Sequence, residues 1–487
     1  MTNRIEIPIT LGAEPAGRIH VLPLTKSRWV KLQRGEADPL DPAAKQAIAQ
    51  LGGLVRFEAK PGQDLPVSVG DGVLLLLIGL GEEVTSRGLR NAAAFATSRT
   101  AVEEAWSLIV PEPEGQVDGS TALRAMAEGV ALGPYRFKRT DKPAPKVAGP
   151  CRIVSHVPGG EALLARSLAL VEGMLLTRDL VNTPADDLGP GELSDTARES
   201  AERHGMRVSV LSGDEVEKRG FRLVHAVGRA ASRPSTVTVV ENFAEGAKPE
   251  LAVVGKGVVF DTGGLDIKTS GYMQLMRKDM GGAGTVIGAL EALGRIGSKA
   301  PFMMVLPAAE NSIGPLSMRP SDVFRAYDGQ TVEIGNTDAE GRLLLADGLA
   351  YSRERGAARL LDVATLTGAA RVALGPDVPA LFGTDDELVA LLERESRKLD
   401  EMLWRMPLVE SYDATLDSPF ADMNNASSDR RGGAITAALF LKRFAKDTPW
   451  AHIDLSAWED RGRPGTPRGG NGMTVRTLVE AIESLPA

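Results

Sequence analysis

Leu251-Ala-Val-Val-Gly-Lys-Gly-Val-Val-Phe-Asp-Thr-Gly-Gly264 reads as a buried strand that stops at a glycine pair. An apolar helical run, Ala283 to Leu293, comes next, and then a second strand-like run, Phe302 to Leu306. Strand, helix and strand in that order mark a crossover unit of a parallel sheet. The rhythm continues in both directions, with strand-like Val208 to Leu211 and Thr236 to Val240 upstream and Arg359 to Val363 downstream. Helix-like runs Arg342 to Arg355 and Ile435 to Phe444 complete it. The chain is therefore read as α/β, its central sheet mostly parallel and covered by helices, with chemistry placed in loops beyond the strand ends.

Toward the amino terminus the pattern restarts on a smaller scale. Val73-Leu-Leu-Leu-Leu-Ile78 is strand-like and ends in the turn Gly79-Leu-Gly81, after which an alanine-rich helical stretch runs from Arg90 to Arg99 and onward. Prolines at 143, 145 and 150 mark a boundary. The expected division is a smaller amino-terminal α/β domain over 1–150, a linker with a bridging helix over 151–185, and a larger domain over 186–487. That helix spans Glu161 to about Leu180 and is stopped by Asn182-Thr-Pro184. Two domains suit a chain of 487 residues.

Hydrophobic residues make up 43% and charged residues 25%, enough apolar surface to build cores. A net charge of −8 gives no footprint for a nucleic-acid binder or an anionic-membrane binder. No run approaches transmembrane length, and the start, Met1-Thr-Asn-Arg-Ile-Glu-Ile-Pro, has charges where a signal peptide needs an apolar core. The lone cysteine, Cys151, excludes an intrachain disulfide framework, agrees with a reducing cytoplasm and sits in no nucleophile motif. A cytoplasmic protein without membrane partners is expected.

Three segments carry chemistry. In the first, Lys256 and Asp261 lie among residues that belong in a buried strand, where either charge alone costs several kcal/mol. Five positions apart, they fall on opposite faces of a regular strand, so a common target requires a kink or bulge that Gly255 and Gly257 have the backbone freedom to supply. An internal ion pair is the plain alternative. The second segment adds Asp266, Lys268 and Asp279, the last just before the helix, where a carboxylate also suits the macrodipole. The third is Gly335-Asn-Thr-Asp-Ala-Glu-Gly-Arg-Leu343, in which Asp338, Glu340 and Arg342 alternate and would share one face of an extended stretch, with a solvated polar turn before a helix as the plain alternative. Two crowded carboxylates repel unless a cation stands between them. Lys256 with Asp261, Asp279, Asp338 and Glu340 thus forms a ligand set whose four negative charges balance two divalent ions, and oxygen-rich ligation suits zinc, manganese or magnesium. Neither a dinucleotide nor a phosphate-loop glycine pattern surrounds Gly255 or Gly281. His20, His156, His204, His225 and His452 form no zinc spacing and are assigned to packing or surface.

These residues resemble the leucyl aminopeptidase (cytosol aminopeptidase) family, whose signature is Asn336-Thr-Asp-Ala-Glu-Gly-Arg-Leu343 as it stands here. The likeness extends through Arg178 to Pro184, Gly255-Lys-Gly257, Phe260 to Gly264, Lys278 to Ala283, Ala364 to Gly368, Gly432 to Ala438 and Trp450-Ala-His-Ile-Asp454. The first domain matches loosely, chiefly at Leu77-Ile-Gly-Leu-Gly81. The resemblance implies a dinuclear metallo-aminopeptidase that removes N-terminal residues from peptides. By it, Asp261 and Glu340 bridge the two metals, Lys256 and Asp279 complete one site, and Asp338 completes the other. Lys268 and Arg342 take the two catalytic positions, with a bicarbonate ion at Arg342. Met276, Thr365, Leu366 and Gly368 line the pocket for a leucine-like first residue, and the assembly is a homohexamer. The chain departs from the commoner pattern at Leu265-Asp266 and at Thr269, beside that pocket. Some relatives bind DNA as well, a reading the acidic balance opposes, and a silent structural role is opposed by the seven intact polar positions.

Overall fold

The strand Leu251–Gly255 lies in the middle of the larger sheet, parallel to both neighbours, Phe302–Asn311 and Arg359–Ala364. All five of its residues are buried, as expected of Val- and Leu-rich sequence covered on both faces. Trp450–Asp454 extends the parallel centre beyond Arg359–Ala364. The margins differ from the parallel pattern: Thr236–Asn242 runs antiparallel to Phe302–Asn311, Arg207–Ser212 antiparallel to that, and Ala380–Gly383 antiparallel to Trp450–Asp454. The α/β class with a mostly parallel sheet therefore stands, with antiparallel edges that the periodicity alone does not distinguish.

This computed structural model describes residues 7–36, 42–51, 55–100, 104–112, 115, 117–137, 148–429 and 431–485. The chain forms two compact units, Met1–Val171 with Asp460–Arg468, and Glu172–Glu459 with Gly469–Ala487. The division falls within the helix Gly160–Asn182, and prolines 143 and 145 lie outside the described residues. The first unit has a six-stranded sheet in the order Ile9–Gly12, Cys151–Val154, Trp106–Ile109, Ile19–Thr25, Leu74–Gly81, Asp64–Ser68, parallel except for the last pair. Strand alternation sends Val21, Leu76 and Ile78 into one apolar cluster and Leu22, Leu24, Leu75 and Leu77 into another, one on each face. Cys151 is buried, and burial pushes its thiol far above the usual range, consistent with packing.

In the second unit the helices Gly281–Ile296 and Gly341–Glu354 cover the sheet and begin at the carboxyl ends of its parallel strands. Glycine sets how near they come. A Cβ on Gly282 would stand 2.1 Å from the Val363 carbonyl oxygen, and one on Gly255 2.7 Å from the Ala283 Cα. Close approach of helix to strand thus requires these glycines, and it lowers the helix start onto the strand ends.

Asp347, fully buried on Gly341–Glu354, accepts hydrogen bonds from the backbone N–H groups of Leu223 (2.8 Å), Val224 (3.1 Å) and Tyr327 (2.8 Å). Burial pushes its carboxyl up to about 7 against the pull of those donors. Asp347→Ala leaves three buried N–H groups without an acceptor and is expected to lower unfolding free energy by about 3 to 5 kcal/mol. Urea denaturation checks it; a loss below about 1 kcal/mol would mean those donors find water instead.

Candidate metal centre

The run that opens the sequence reading breaks at Lys256. Its backbone N–H still bonds to Val363 (3.0 Å), but the following strand, Gly257–Asp261, pairs with Phe302–Asn311 and shifts register between Val258 and Asp261. The irregularity aims both charges at one place. Its glycines act by close packing and not by unusual torsion, which corrects the expected source of the kink: a Cβ on Gly257 would lie 2.6 Å from the Pro307 carbonyl oxygen, and neither Gly255 nor Gly257 has positive φ.

Lys256 reaches across the start of Gly341–Glu354, where a Cβ on Gly341 would collide with its Cε at 2.4 Å. Its Nζ lies 2.8 Å from an Asp279 oxygen and 3.2 Å from Glu340 Oε1, and it donates to the Thr365 carbonyl at 3.0 Å. Asp261 accepts from Gly263 N–H and from Asn311 Nδ2, both at 2.8 Å, while its other oxygen is 2.7 Å from Lys268 Nζ. Lys268 pairs also with Asp338. Asp338 and Glu340 are not in the extended stretch that alternation alone would give but in the alternative, a turn before a helix, although Glu340 is buried and not solvated. They occupy a turn, and Glu340 is the helical residue from which Gly341–Glu354 starts. The turn still brings oxygens of Asp261, Asp338 and Glu340 within 4.8 Å of one another.

Burial governs the electrostatics. It raises the carboxyl of Glu340 to about 8, with Asp261 repulsion adding to it, and raises Asp279 and Asp338 as well. Burial also opposes the charge of Lys256 and Lys268, yet the surrounding carboxylates outweigh it and hold both above the usual lysine range. Arg342 is drawn down to about 10 by burial; it donates to the Asn425 carbonyl (2.7 Å) and lies 6.0 Å from the Phe440 ring centre. Glu340 Oε2 is buried without a hydrogen-bond partner among the described residues. Clustered oxygens that repel one another, one of them free to accept, fit divalent cations.

The segment 175–479 matches the cytosol aminopeptidase family, catalytic domain. The chain belongs to the cytosol aminopeptidase family. It is accordingly a metal-dependent aminopeptidase, a hydrolase. It is 36% identical over 469 residues to a probable cytosol aminopeptidase of Synechococcus, covering 95% of this chain and 96% of that one. Likeness to the cytosol aminopeptidase of Coxiella burnetii has a TM-score of 0.84 at 34% identity, covering 98% of each chain. The bottromycin maturation enzyme BotP in complex with Mn is similar with a TM-score of 0.83 at 34% identity, covering 96% of this chain and 99% of that one. Tomato leucine aminopeptidase, as a mutant, is 29% identical with a TM-score of 0.87, covering 100% of this chain and 98% of that one.

In this aminopeptidase the candidate metal-site residues rest on others, of which the sequence reading had named Asp266 without a role and Thr365 only as a pocket residue, and had not named Asn311. The Thr365 hydroxyl bonds to Asp279 Oδ1 at 2.8 Å, and Asn311 to Asp261 as above. Asp454 accepts from the N–H groups of Leu366 (2.9 Å) and Thr367 (3.1 Å) and from the Thr367 hydroxyl (2.6 Å), fixing the loop that carries Thr365. Asp266, one of the departures from the commoner pattern, accepts from the Thr337 N–H at 2.7 Å and so braces the turn bearing Asp338. The only sequence signal for Asp454 was its place in the motif Trp450 to Asp454. Of the expected pocket residues, Met276 opens the short 3-10 turn that ends in Met280, Thr365 is buried, and Gly368 begins the helix Gly368–Leu374 with open space where a side chain would project.

Proposed function

We propose that this aminopeptidase holds two divalent ions with Lys256, Asp261, Asp279, Asp338 and Glu340, and releases N-terminal residues from peptides there. The observation carrying the proposal is the convergence of Asp261, Asp338 and Glu340 oxygens within 4.8 Å, beside the Lys256–Asp279 pair. Oxygen-rich ligation fits manganese or zinc, and also magnesium. When bound, the ions would acidify a water and polarise the scissile carbonyl, and a bicarbonate on Arg342 would supply a proton acceptor that the arginine cannot be.

The protein's own residues then divide the work. Lys256 must give up its proton to ligate, a change that a neighbouring dication favours electrostatically. Lys268, charged at the edge of the cluster, is positioned to stabilise the oxyanion. Met276, Thr365, Leu366 and Gly368 surround the side chain of the first residue, and their largely apolar character suits leucine-like groups. The family reading extends to a homohexamer in the cytoplasm. No helix among the described residues is long and apolar enough to cross a membrane.

Elemental analysis of the purified protein, with activity on aminoacyl amides before and after chelation, tests the proposal. About two ions per chain and activity restored by manganese are expected. Recognition of the substrate needs its free α-amine unprotonated, and an α-amine has a pKa of about 7.7–8.0. Hence kcat/KM should climb from pH 7 into the alkaline range; a maximum near pH 5 would contradict amine recognition.

A further inference from the structure

Asn425 is fully buried, and its carboxamide bonds to one short stretch of backbone. Its Oδ1 accepts from the N–H groups of Gly335 (2.8 Å) and Asn336 (3.1 Å), and its Nδ2 donates to the carbonyls of Asn336 (2.7 Å) and Ala339 (3.3 Å). A carboxamide has two acceptor sites and two donor hydrogens, so its whole capacity is used. All of it goes to the turn that carries Asp338 and Glu340. The main-chain carbonyl of Asn425 accepts from Arg342 at 2.7 Å. A single residue, 83 to 90 positions further along the chain, thus holds both ends of the segment 335–342.

Sheet pairing fixes Asn425 in turn. It follows the strand Met423–Asn424, which runs parallel to Thr331–Glu333, and its N–H donates to the Glu333 carbonyl at 2.9 Å. Strand and turn are in close contact, since a Cβ on Gly335 would stand 2.2 Å from Asn424 Oδ1. Other braces on the turn meet at Thr337, whose N–H bonds to Asp266 and whose carbonyl accepts from Asn311 Nδ2 at 3.1 Å. Among the described residues Asn425 alone grips the turn on both sides of that point, at Gly335 and Asn336 before it and at Ala339 after it. No side chain caps the helix that starts from Glu340, so the direction of that carboxylate depends on how the turn is held.

We infer that Asn425 is a positioning residue for the proposed metal centre: it sets the turn of Asp338 and Glu340 in its ligating shape before any ion arrives, and ties Arg342 to the same frame. The inference rests on the metal-site reading above. Alanine at 425 would leave two N–H groups and two carbonyls without their partner, and the turn would relax to satisfy them, drawing apart carboxylates that now converge. The consequence for chemistry passes through Asp338, Glu340 and Arg342.

Manganese calorimetry on the full-length protein, with kcat and KM for aminoacyl amides at saturating manganese, is the test. Asn425→Ala is expected to bind manganese about 10- to 100-fold more weakly and to lose kcat by a similar factor. KM should stay near the parent value, because the proposed first-residue walls lie on other segments. Asp347→Ala, which loosens the same helix elsewhere, should keep parent affinity for manganese; an equal loss in both variants would assign Asn425 to stability alone and overturn the proposal. A second readout needs no variant. In the chelated wild type, hydrogen–deuterium exchange over 335–340 should already be slow, because the Asn425 bonds do not require metal. Fast exchange there that slows only when manganese is added would mean that the ions shape the turn, and would overturn the proposal whether or not the variants fold. Parent-level affinity and kcat in a folded Asn425→Ala protein would do the same while leaving the metal site intact. A wild type that takes up no manganese overturns the metal-site reading, and the role of Asn425 falls with it.

Discussion

Glu340→Ala is expected to lose metal and activity together, with fewer than one ion retained per chain and turnover on aminoacyl amides down by roughly 10³-fold or more, about 4 kcal/mol. The reason is electrostatic. Glu340 is 1% exposed, its Oε2 has no partner among the described residues, and burial with Asp261 repulsion pushes its carboxyl up to about 8. Such a group keeps its charge at neutral pH only beside a compensating cation. Lys256, at 3.2 Å, supplies part of that compensation, but it also pairs with Asp279. In the proposed site Glu340 is shared by both ions, so its removal weakens both at once. Because the alanine also removes a carboxyl from a crowded cluster, the variant should fold, and circular dichroism with the thermal midpoint of the chelated protein would show it. Parent-level metal content and turnover in a folded Glu340→Ala protein would remove the site assignment.

That site was partly legible in the sequence because burial makes charge conspicuous. A lysine and an aspartate within Leu251 to Gly264 demand partners wherever the strand goes, and the alternation of strand-like and helix-like runs implied that loops at the strand ends would supply them. The acidic pair Asp338 and Glu340 was found for a geometric reason that does not hold, since they lie in a turn. Their mutual repulsion does not depend on strand geometry and calls for a cation in a turn as much as in a strand. Asn311 stayed hidden, and so did the bond of the expected pocket residue Thr365 to Asp279: a buried amide or hydroxyl bonding to a residue 50 or 86 positions away leaves no local pattern. Asp454 was visible only as a member of the motif Trp450 to Asp454. The antiparallel sheet margins were also illegible, because a buried strand reads alike in either direction.

Lys268→Ala should behave in the opposite way to Glu340→Ala: metal content unchanged, KM little altered, and kcat reduced by about 10² to 10³, equivalent to about 2.7–4 kcal/mol, the usual loss on removing one preorganised oxyanion donor. Its Nζ stands 2.7 Å from Asp261 and pairs with Asp338, and their field holds the ammonium above the usual lysine range although burial opposes it. The carboxylates around Lys268 thus favour its ammonium form. A cation fixed at that edge needs no reorganisation when negative charge develops on the carbonyl oxygen, whereas water entering the space left by alanine would have to reorient. None of the proposed ligands is lost, and Asp261 and Asp338 are released from a competing ammonium, so manganese affinity measured by calorimetry should hold or increase. Lys268→Arg should recover part of kcat, because charge is kept while its position moves. Normal kcat in a metal-loaded Lys268→Ala protein would assign the lysine to charge balance between Asp261 and Asp338 alone, and oxyanion stabilisation would then have to come from another group.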